Sequence, residues 1–447
     1  MGKYFGTDGF RGEANVNLTV EHAFKIGRFL GSFFNGEDKA RIVIGKDTRR
    51  SGYMLEYALC AGITASGGDA YLLHVTTTPS VSYIARTENF DCGVMISASH
   101  NPYFDNGIKL INSRGEKMGD EVLGKIESYL DGNYPEIPLA KGENIGRTVD
   151  YSGGRNRYIA YIISLSKHSY KGLKIGLDCS NGSTWMMAKS IFDTLGAKTF
   201  VTGNEPDGIN INLNCGSTHI ETLVNLVREN NLDIGFAFDG DADRCLAVDE
   251  KGNVLTGDHI LYFYGKYMKK REKLFENTLV TTLMSNYGLF KALEDNGISA
   301  KVTDVGDKFV YEEMKRGGFA LGGEESGHII FSKYASTGDG LITAVKIMEA
   351  FIESKLPASK LSDGFKLFPQ VQDKIKVSDK DRVLNDNEIK DILKKRNEEL
   401  KGQGRVILRK SGTEPVIRVM AEAQSNEKCS KLVNELIDLI VKKGYTE

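Results

Sequence analysis

The chain has 447 residues, with 58 Lys+Arg against 60 Asp+Glu and a formal net charge of -2. That length suits about three domains, each large enough for its own core, and the even charge balance excludes bulk electrostatic binding of nucleic acid or an anionic membrane, so an anion has to be held by local clusters. The N-terminal stretch has no signal-peptide pattern, no apolar run reaches membrane-spanning length, and Cys60, Cys92, Cys179, Cys215, Cys245 and Cys429 are scattered without a C-x-x-C pair, which together read as a cytoplasmic protein with reduced thiols.

Along the chain, Gly6-Thr7-Asp8-Gly9-Phe10-Arg11-Gly12 reads either as a loop presenting Arg11 to an anion or as a plain turn. A helix pattern follows from Thr19. Arg41 to Gly45 is a short strand, a helix with Leu55, Ala58, Leu59 and Ile63 apolar follows Ser51, Gly67-Gly68 ends it, and Ala70 to Val75 is the next strand. The apolar run Val94 to Ile96 stops at Ser97-Ala98-Ser99-His100-Asn101-Pro102, where Pro102 cannot extend a ladder. Ser99 is therefore expected on a loop off the carboxyl end of a strand, where open α/β sheets bind ligands. It is a candidate nucleophile or a member of a solvated Ser-His turn.

The same order recurs twice. Leu173 to Asp178 is a strand, a helix carries Met187, Ile191, Phe192 and Leu195, a further helix starts at Thr218 with Glu221 completing a capping box, and Asp233 to Phe238 is a strand ending in Asp239-Gly240-Asp241-Ala242-Asp243-Arg244. Then Thr278 to Met284 is a strand, Ser285 to Gly288 a turn, a helix carries Leu289 and Leu293, and Gly318 to Leu321 leads into Gly322-Gly323-Glu324-Glu325-Ser326-Gly327-His328. The pattern predicts a threefold repeat: α/β architecture, with three related mixed-sheet domains over 1–150, 151–252 and 253–366, and special loops converging on a central cleft. Residues 367–447 differ. After a linker and a strand, one helix carries Ile389, Ile392, Leu393 and Leu400, two strands flank Arg409-Lys410-Ser411-Gly412-Thr413-Glu414-Pro415, and a closing helix carries Leu432 to Ile440, a C-terminal α+β domain.

Three loops carry chemistry. Asp239, Asp241 and Asp243 alternate, and on an extended strand they would share a face as hard oxygen ligands for Mg²⁺. A solvated acidic turn and a phosphatase with Asp239 as nucleophile are the other readings. Arg409, Ser411, Gly412 and Thr413 supply a guanidinium, hydroxyls and turn amides, the parts of a phosphate cradle or of a hairpin turn. Glu324, Ser326 and His328 offer partners for sugar hydroxyls, or form a polar turn. His22, His74, His168, His219 and His259 lack such a setting.

Together S-A-S-H-N-P at 97–102, D-G-D-A-D-R at 239–244, G-E-E-S-G-H at 323–328 and R-K-S-G-T-E-P at 409–415 resemble, in order and along essentially the whole chain, the α-D-phosphohexomutase superfamily. Asp304-Val305-Gly306-Asp307-Lys308-Phe309-Val310 and Ser411-Gly412-Thr413 are of the phosphoglucosamine mutase type; Glu325 departs from that branch, many members of which have Gln there. The resemblance implies four domains around a cleft and a phosphoserine at Ser99. It implies one Mg²⁺ on that phosphate and on Asp239, Asp241 and Asp243. Arg11, His100, Lys109 and Arg244 would lie near the transferring group, Glu324 and Ser326 on the sugar, and His328 would carry a proton. Arg409, Ser411, Gly412 and Thr413 would hold phosphate, with Arg418 assisting. The implied reaction interconverts glucosamine 6-phosphate and glucosamine 1-phosphate through a glucosamine 1,6-bisphosphate, on the route to UDP-N-acetylglucosamine, with the same chemistry on glucose or mannose phosphates as the alternative. Lys109, His100 and His328 stand unranked as general base. A homodimer through the first domain is implied by the resemblance alone.

Overall fold

The computed structural model describes residues 2–411 and 415–446. One compact unit takes residues 1–284 and 300–363, the other 285–299 and 364–447. No helix among the described residues is long and apolar enough to cross a membrane.

The first domain runs β1 (Phe10–Glu13), α1 (Val20–Phe33), β2 (Arg41–Lys46), α2 (Arg50–Ala65), β3 (Asp69–Val75), α3 (Thr78–Thr87), β4 (Cys92–Ile96), β5 (Asp105–Asn112), α4 (Asp120–Leu130) and β6 (Thr148–Asp150). Its sheet has the order β1-β5-β4-β2-β3-β6. β2 pairs in parallel with β3 and β4, and β5 returns antiparallel to β4. Every residue of β4 is buried, as expected of a central strand covered on both faces. Thr19 caps α1, accepting from the His22 amide while the His22 ring accepts from the Thr19 amide, which satisfies two otherwise orphaned donors.

After α5 (Ser152–Ser164), the second domain runs β7 (Lys174–Asp178), α6 (Ala188–Thr194), β8 (Lys198–Thr202), α7 (Glu221–Asn230), β9 (Ile234–Phe238), β10 (Cys245–Asp249) and β11 (Val254–Leu255). The third follows as α8 (Gly257–Lys270), β12 (Thr278–Thr282), α9 (Tyr287–Asp295), β13 (Ser299–Thr303), α10 (Asp307–Gly317), β14 (Leu321–Gly323), β15 (Ile329–Phe331) and α11 (Gly340–Ser354). Their sheets read β10-β9-β7-β8 and β15-β14-β12-β13, with β11 added at the edge of the second. Set beside β5-β4-β2-β3, this is one strand order used three times. In each copy the last inner strand turns back antiparallel, and the turn there carries the special loop: 97–104, 239–244 or 324–328.

The C-terminal domain contains β16 (Gln370–Lys376), α12 (Lys380–Asn385), α13 (Asn387–Glu399), β17 (Arg405–Lys410), β18 (Val416–Glu422) and α14 (Asn426–Lys442), with an antiparallel sheet β16-β18-β17. Val419, Ala421, Leu436 and Ile440 lie in its core.

Three local expectations are corrected. The capping box at Thr218 does not form: α7 starts at Glu221 after Ile220, without a side-chain cap, and the Thr218 hydroxyl turns to the neighbouring His219 ring. The strand after Thr278 stops at Thr282, before Met284. The acidic motif is not an extended strand; Ala242 sits at φ 60° inside a tight turn, so the carboxylates converge by the chain reversing rather than by strand alternation.

Candidate active site

The β4–β5 loop places Ser99 at φ 53°, a left-handed conformation that costs a non-glycine residue about 1–2 kcal/mol. The side chain is buried, and its hydroxyl donates to Asp239 Oδ2 at 2.5 Å. His100 Nδ1 lies 3.3 Å from Ser99 Oγ. Gly240 allows the two loops to meet, since a Cβ there would stand 2.5 Å from the Ser99 carbonyl oxygen.

Asp239, Asp241 and Asp243 are all buried, and each offers a carboxylate oxygen within 4.8 Å of the others. Oδ1 of Asp241 and Oδ1 of Asp243 have no hydrogen-bond partner among the described residues. Crowded carboxylates with unused, buried oxygens are short of positive charge, and hard oxygen donors at this spacing fit a small divalent cation. Burial, reinforced by Asp243 and Asp241, holds the Asp239 carboxyl well above its usual range. In Asp243 burial acts in the same direction but is overcome by Lys109 and His328, which keep that carboxyl well below the usual range.

Lys109, on β5, supplies part of the missing charge. Its Nζ lies 2.7 Å from Asp241, 3.0 Å from Asp8 and 3.5 Å from Asp243. Burial would discharge it, but these carboxylates outweigh burial and keep it protonated. Arg11 pairs with Asp8, and Arg244 Nε lies 3.9 Å from Asp243 Oδ1. Nε of neither guanidinium has a hydrogen-bond acceptor among the described residues. His100 is driven down to about 4 by burial and then by Arg244 and Arg11, so its ring is neutral at pH 7.

The third loop closes against this centre. His328 Nδ1 is 3.7 Å from Asp243 and Nε2 is 3.5 Å from Asp307. Burial lowers its pKa, but Asp243, Asp307 and Glu324 carry it up to about 9. The Gly338 amide donates to Nε2 at 2.9 Å and so asks for a lone pair on that nitrogen. That contact favours hydrogen on Nδ1, facing Asp243. Glu324 accepts from the Gly306 amide at 3.2 Å, and burial raises its pKa. Ser326 Oγ has no partner among the described residues. A cavity of about 440 Å³ opens beside the centre, lined in part by Asp8, Lys109, Lys117, Asp243 and Asp307.

In the C-terminal domain Arg409 and Arg418 face each other across β17 and β18. Burial, then Arg418, pushes the Arg409 pKa down. Like charges placed directly opposite one another repel across a sheet. Ser411 is buried at the end of β17; Gly412 and Thr413 lie outside the described residues.

Family models for phosphoglucomutase/phosphomannomutase match the chain as alpha/beta/alpha domain I over residues 2–135, domain II over 156–252, domain III over 256–368 and the C-terminal domain over 374–439. The chain belongs to the phosphoglucomutase/phosphomannomutase family. Relatives of this phosphohexomutase include a phosphoglucosamine mutase of Lachnospira eligens, 63% identical over 448 residues and covering 100% of both chains. Another, from Lachnoclostridium phytofermentans, is 59% identical over 445 residues, covering 100% of this chain and 99% of that one. Among solved structures, a phosphoglucomutase/phosphomannomutase family protein from Burkholderia thailandensis superposes with a TM-score of 0.81 at 22% identity, over 100% of this chain and 99% of that one, a likeness of fold.

Several residues of this phosphohexomutase site escaped the sequence reading. Thr78 donates to Asp241. Lys117 bridges Asp8 at 3.1 Å and Asp307 at 2.7 Å, joining the first and third domains. Asp47 and Arg49 stand behind Ser99. Asp47 and Arg49 follow β2, a parallel strand, and the rule that ligands gather off such strand ends was the available signal.

Proposed function

We infer that this chain is a phosphoglucosamine mutase, interconverting glucosamine 6-phosphate and glucosamine 1-phosphate on the route to UDP-N-acetylglucosamine. The observation that carries the chemistry is Ser99: a buried, conformationally strained serine whose hydroxyl donates to Asp239, one of three clustered carboxylates. The identity to phosphoglucosamine mutases along the full chain supports the choice of sugar.

Ser99 carries the phosphoryl group. Its P–Oγ bond breaks as a bond forms to O1 of glucosamine 6-phosphate, the O1 proton passing to Oγ and leaving glucosamine 1,6-bisphosphate; the P–O6 bond then breaks as the 6-phosphoryl group returns to Oγ, whose proton passes to O6, releasing glucosamine 1-phosphate. Asp239, Asp241 and Asp243, with the serine phosphate, would hold one Mg²⁺, which when bound spreads the charge of the phosphoryl oxygens. Arg11, Arg244 and Lys109 place fixed positive charge around the transferring group, where catalysis is chiefly positioning and electrostatics. His100, neutral and within hydrogen-bonding distance of Oγ, suits proton traffic at the serine. Glu324 and Ser326 present acceptors to sugar hydroxyls, with His328 behind them. Arg409, Ser411, Gly412, Thr413 and Arg418 take the phosphate that is not being transferred. A cytoplasmic homodimer completes the proposal, the oligomer being open to light scattering.

The test compares turnover of the 6-phosphates of glucosamine, glucose and mannose. Glucosamine 6-phosphate is expected to have the highest kcat/KM. If either other sugar is turned over better, the substrate assignment fails while the phosphoserine chemistry stands.

A further inference from the structure

Arg49 has 0% side-chain exposure and spends all five of its N–H donors within one small region. Nε donates to Asp47 Oδ2 at 2.8 Å. Nη1 donates to the carbonyls of Pro102 and, at 3.0 Å, Asp105. Nη2 donates to the carbonyls of Ser99 at 2.9 Å and Asn101 at 2.8 Å. Three carbonyls of one loop and that of Asp105, the first residue of β5, thus converge on one planar fork, a pattern an ammonium with three donors cannot reproduce. The same loop is held from two further directions. Ser97 Oγ accepts the Ser99 amide at 2.9 Å and donates to Asp47 at 2.7 Å. From the second domain, Asn212 Nδ2 donates to the carbonyls of Ser99 at 2.9 Å and Asn101 at 3.0 Å.

We propose that Arg49, braced by Asp47 and Ser97 and joined by Asn212, is the positioning residue that locks Ser99 in its left-handed conformation and so aims Oγ at the sugar in both half-reactions. A left-handed serine persists only where its surroundings over-determine it, and here both its amide and its carbonyl are pinned. Arg49 touches neither Oγ nor the carboxylates that face it, so it acts through the loop. This inference rests on Ser99 being the phosphate carrier.

The test uses the full-length enzyme with Mg²⁺ and measures kcat and KM for glucosamine 6-phosphate in Arg49→Lys, Ser97→Ala and Ser99→Ala. It also follows the rate at which glucosamine 1,6-bisphosphate phosphorylates each protein, by intact mass. Arg49→Lys should lower kcat and the phosphorylation rate together by about 100-fold, the loss expected of a reacting atom displaced by about 1 Å. KM should stay within about twofold, since sugar contacts are untouched. Ser97→Ala, a smaller change, should show the same split at about 10-fold. If Arg49→Lys does not fold, Ser97→Ala decides alone. A kcat within twofold of wild type in the folded variants, or a loss confined to KM, overturns the inference. Full activity in Ser99→Ala overturns the phosphoserine reading instead, so the two failures are separable.

Discussion

Replacing Lys109 by Met removes the one lysine among the described residues that reaches Asp8, Asp241 and Asp243 together. At the observed 2.7, 3.0 and 3.5 Å each contact is worth about 5–6 kcal/mol gross at an effective dielectric of about 20. Desolvation of the ammonium offsets much of that sum, and removing one partner of a buried ion cluster leaves a net loss of about 3–5 kcal/mol. The side chain is only 6% exposed, so solvent screening reduces this little. Urea denaturation in EDTA should therefore show Lys109→Met destabilised by about 3–5 kcal/mol. In saturating MgCl₂ the gap should narrow to below about 2 kcal/mol, because a cation bound only by the folded state restores the missing charge. Turnover should remain at least about 100-fold down, since the fixed charge near the phosphoryl group is not replaced in kind. A Lys109→Met protein as stable as wild type in EDTA would show that the ammonium does not hold these carboxylates together. A benefit from Mg²⁺ no larger than that of wild type would show that they are not short of positive charge.

Gly257→Ala puts a Cβ 1.9 Å from the Glu324 carbonyl oxygen and 2.9 Å from that of Glu325; if the 324–328 loop binds the sugar as proposed, its displacement should raise KM by about 10-fold with stability reduced by about 1–3 kcal/mol, read from steady-state kinetics and urea melts. Arg409→Gln should raise KM for the sugar phosphate by about 10–100-fold, the worth of a charged hydrogen bond, without loss of stability, because it relieves the repulsion of Arg418; a loss of stability with KM unchanged would make the pair structural. His259 is driven down to about 4 by burial, and its Nδ1 accepts from the Thr256 amide at the start of α8. A folded pKa depressed below the unfolded 6.5 contributes stability that is full above 6.5 and is lost as pH falls from there through 4. The stability advantage of wild type over His259→Gln should therefore shrink by about 2–3 kcal/mol between pH 7 and 4, in urea titrations at both pH values.

The strand ends were readable because apolar runs such as Val94 to Ile96 stop abruptly at polar loops, and three such stops gave the repeat its frame. The repeat itself is fuller than the residues suggest, since the shared strand order involves pairings between segments far apart in sequence. What stayed hidden had no local pattern. Asp-Thr-Arg after β2 is an ordinary polar strand end until Arg49 is seen to bind carbonyls some 50 residues onward. Lys117 and Asp307 meet across 190 residues. The acidic loop was expected to align its carboxylates by extended alternation, a pattern that cannot reveal Ala242 at φ 60°. α12, six residues long, is too short to show a helical period.

The most direct measurement incubates wild type and Ser99→Ala with glucosamine 1,6-bisphosphate, then follows intact mass, the phosphorylated peptide and glucosamine 1-phosphate formation in the same samples. A phosphoserine carrier gives one acid-stable phosphoryl group on the Ser99 peptide of wild type, and neither phosphate nor turnover in Ser99→Ala. Wild-type turnover by Ser99→Ala, or a hydroxylamine-labile phosphate on Asp239, would contradict it.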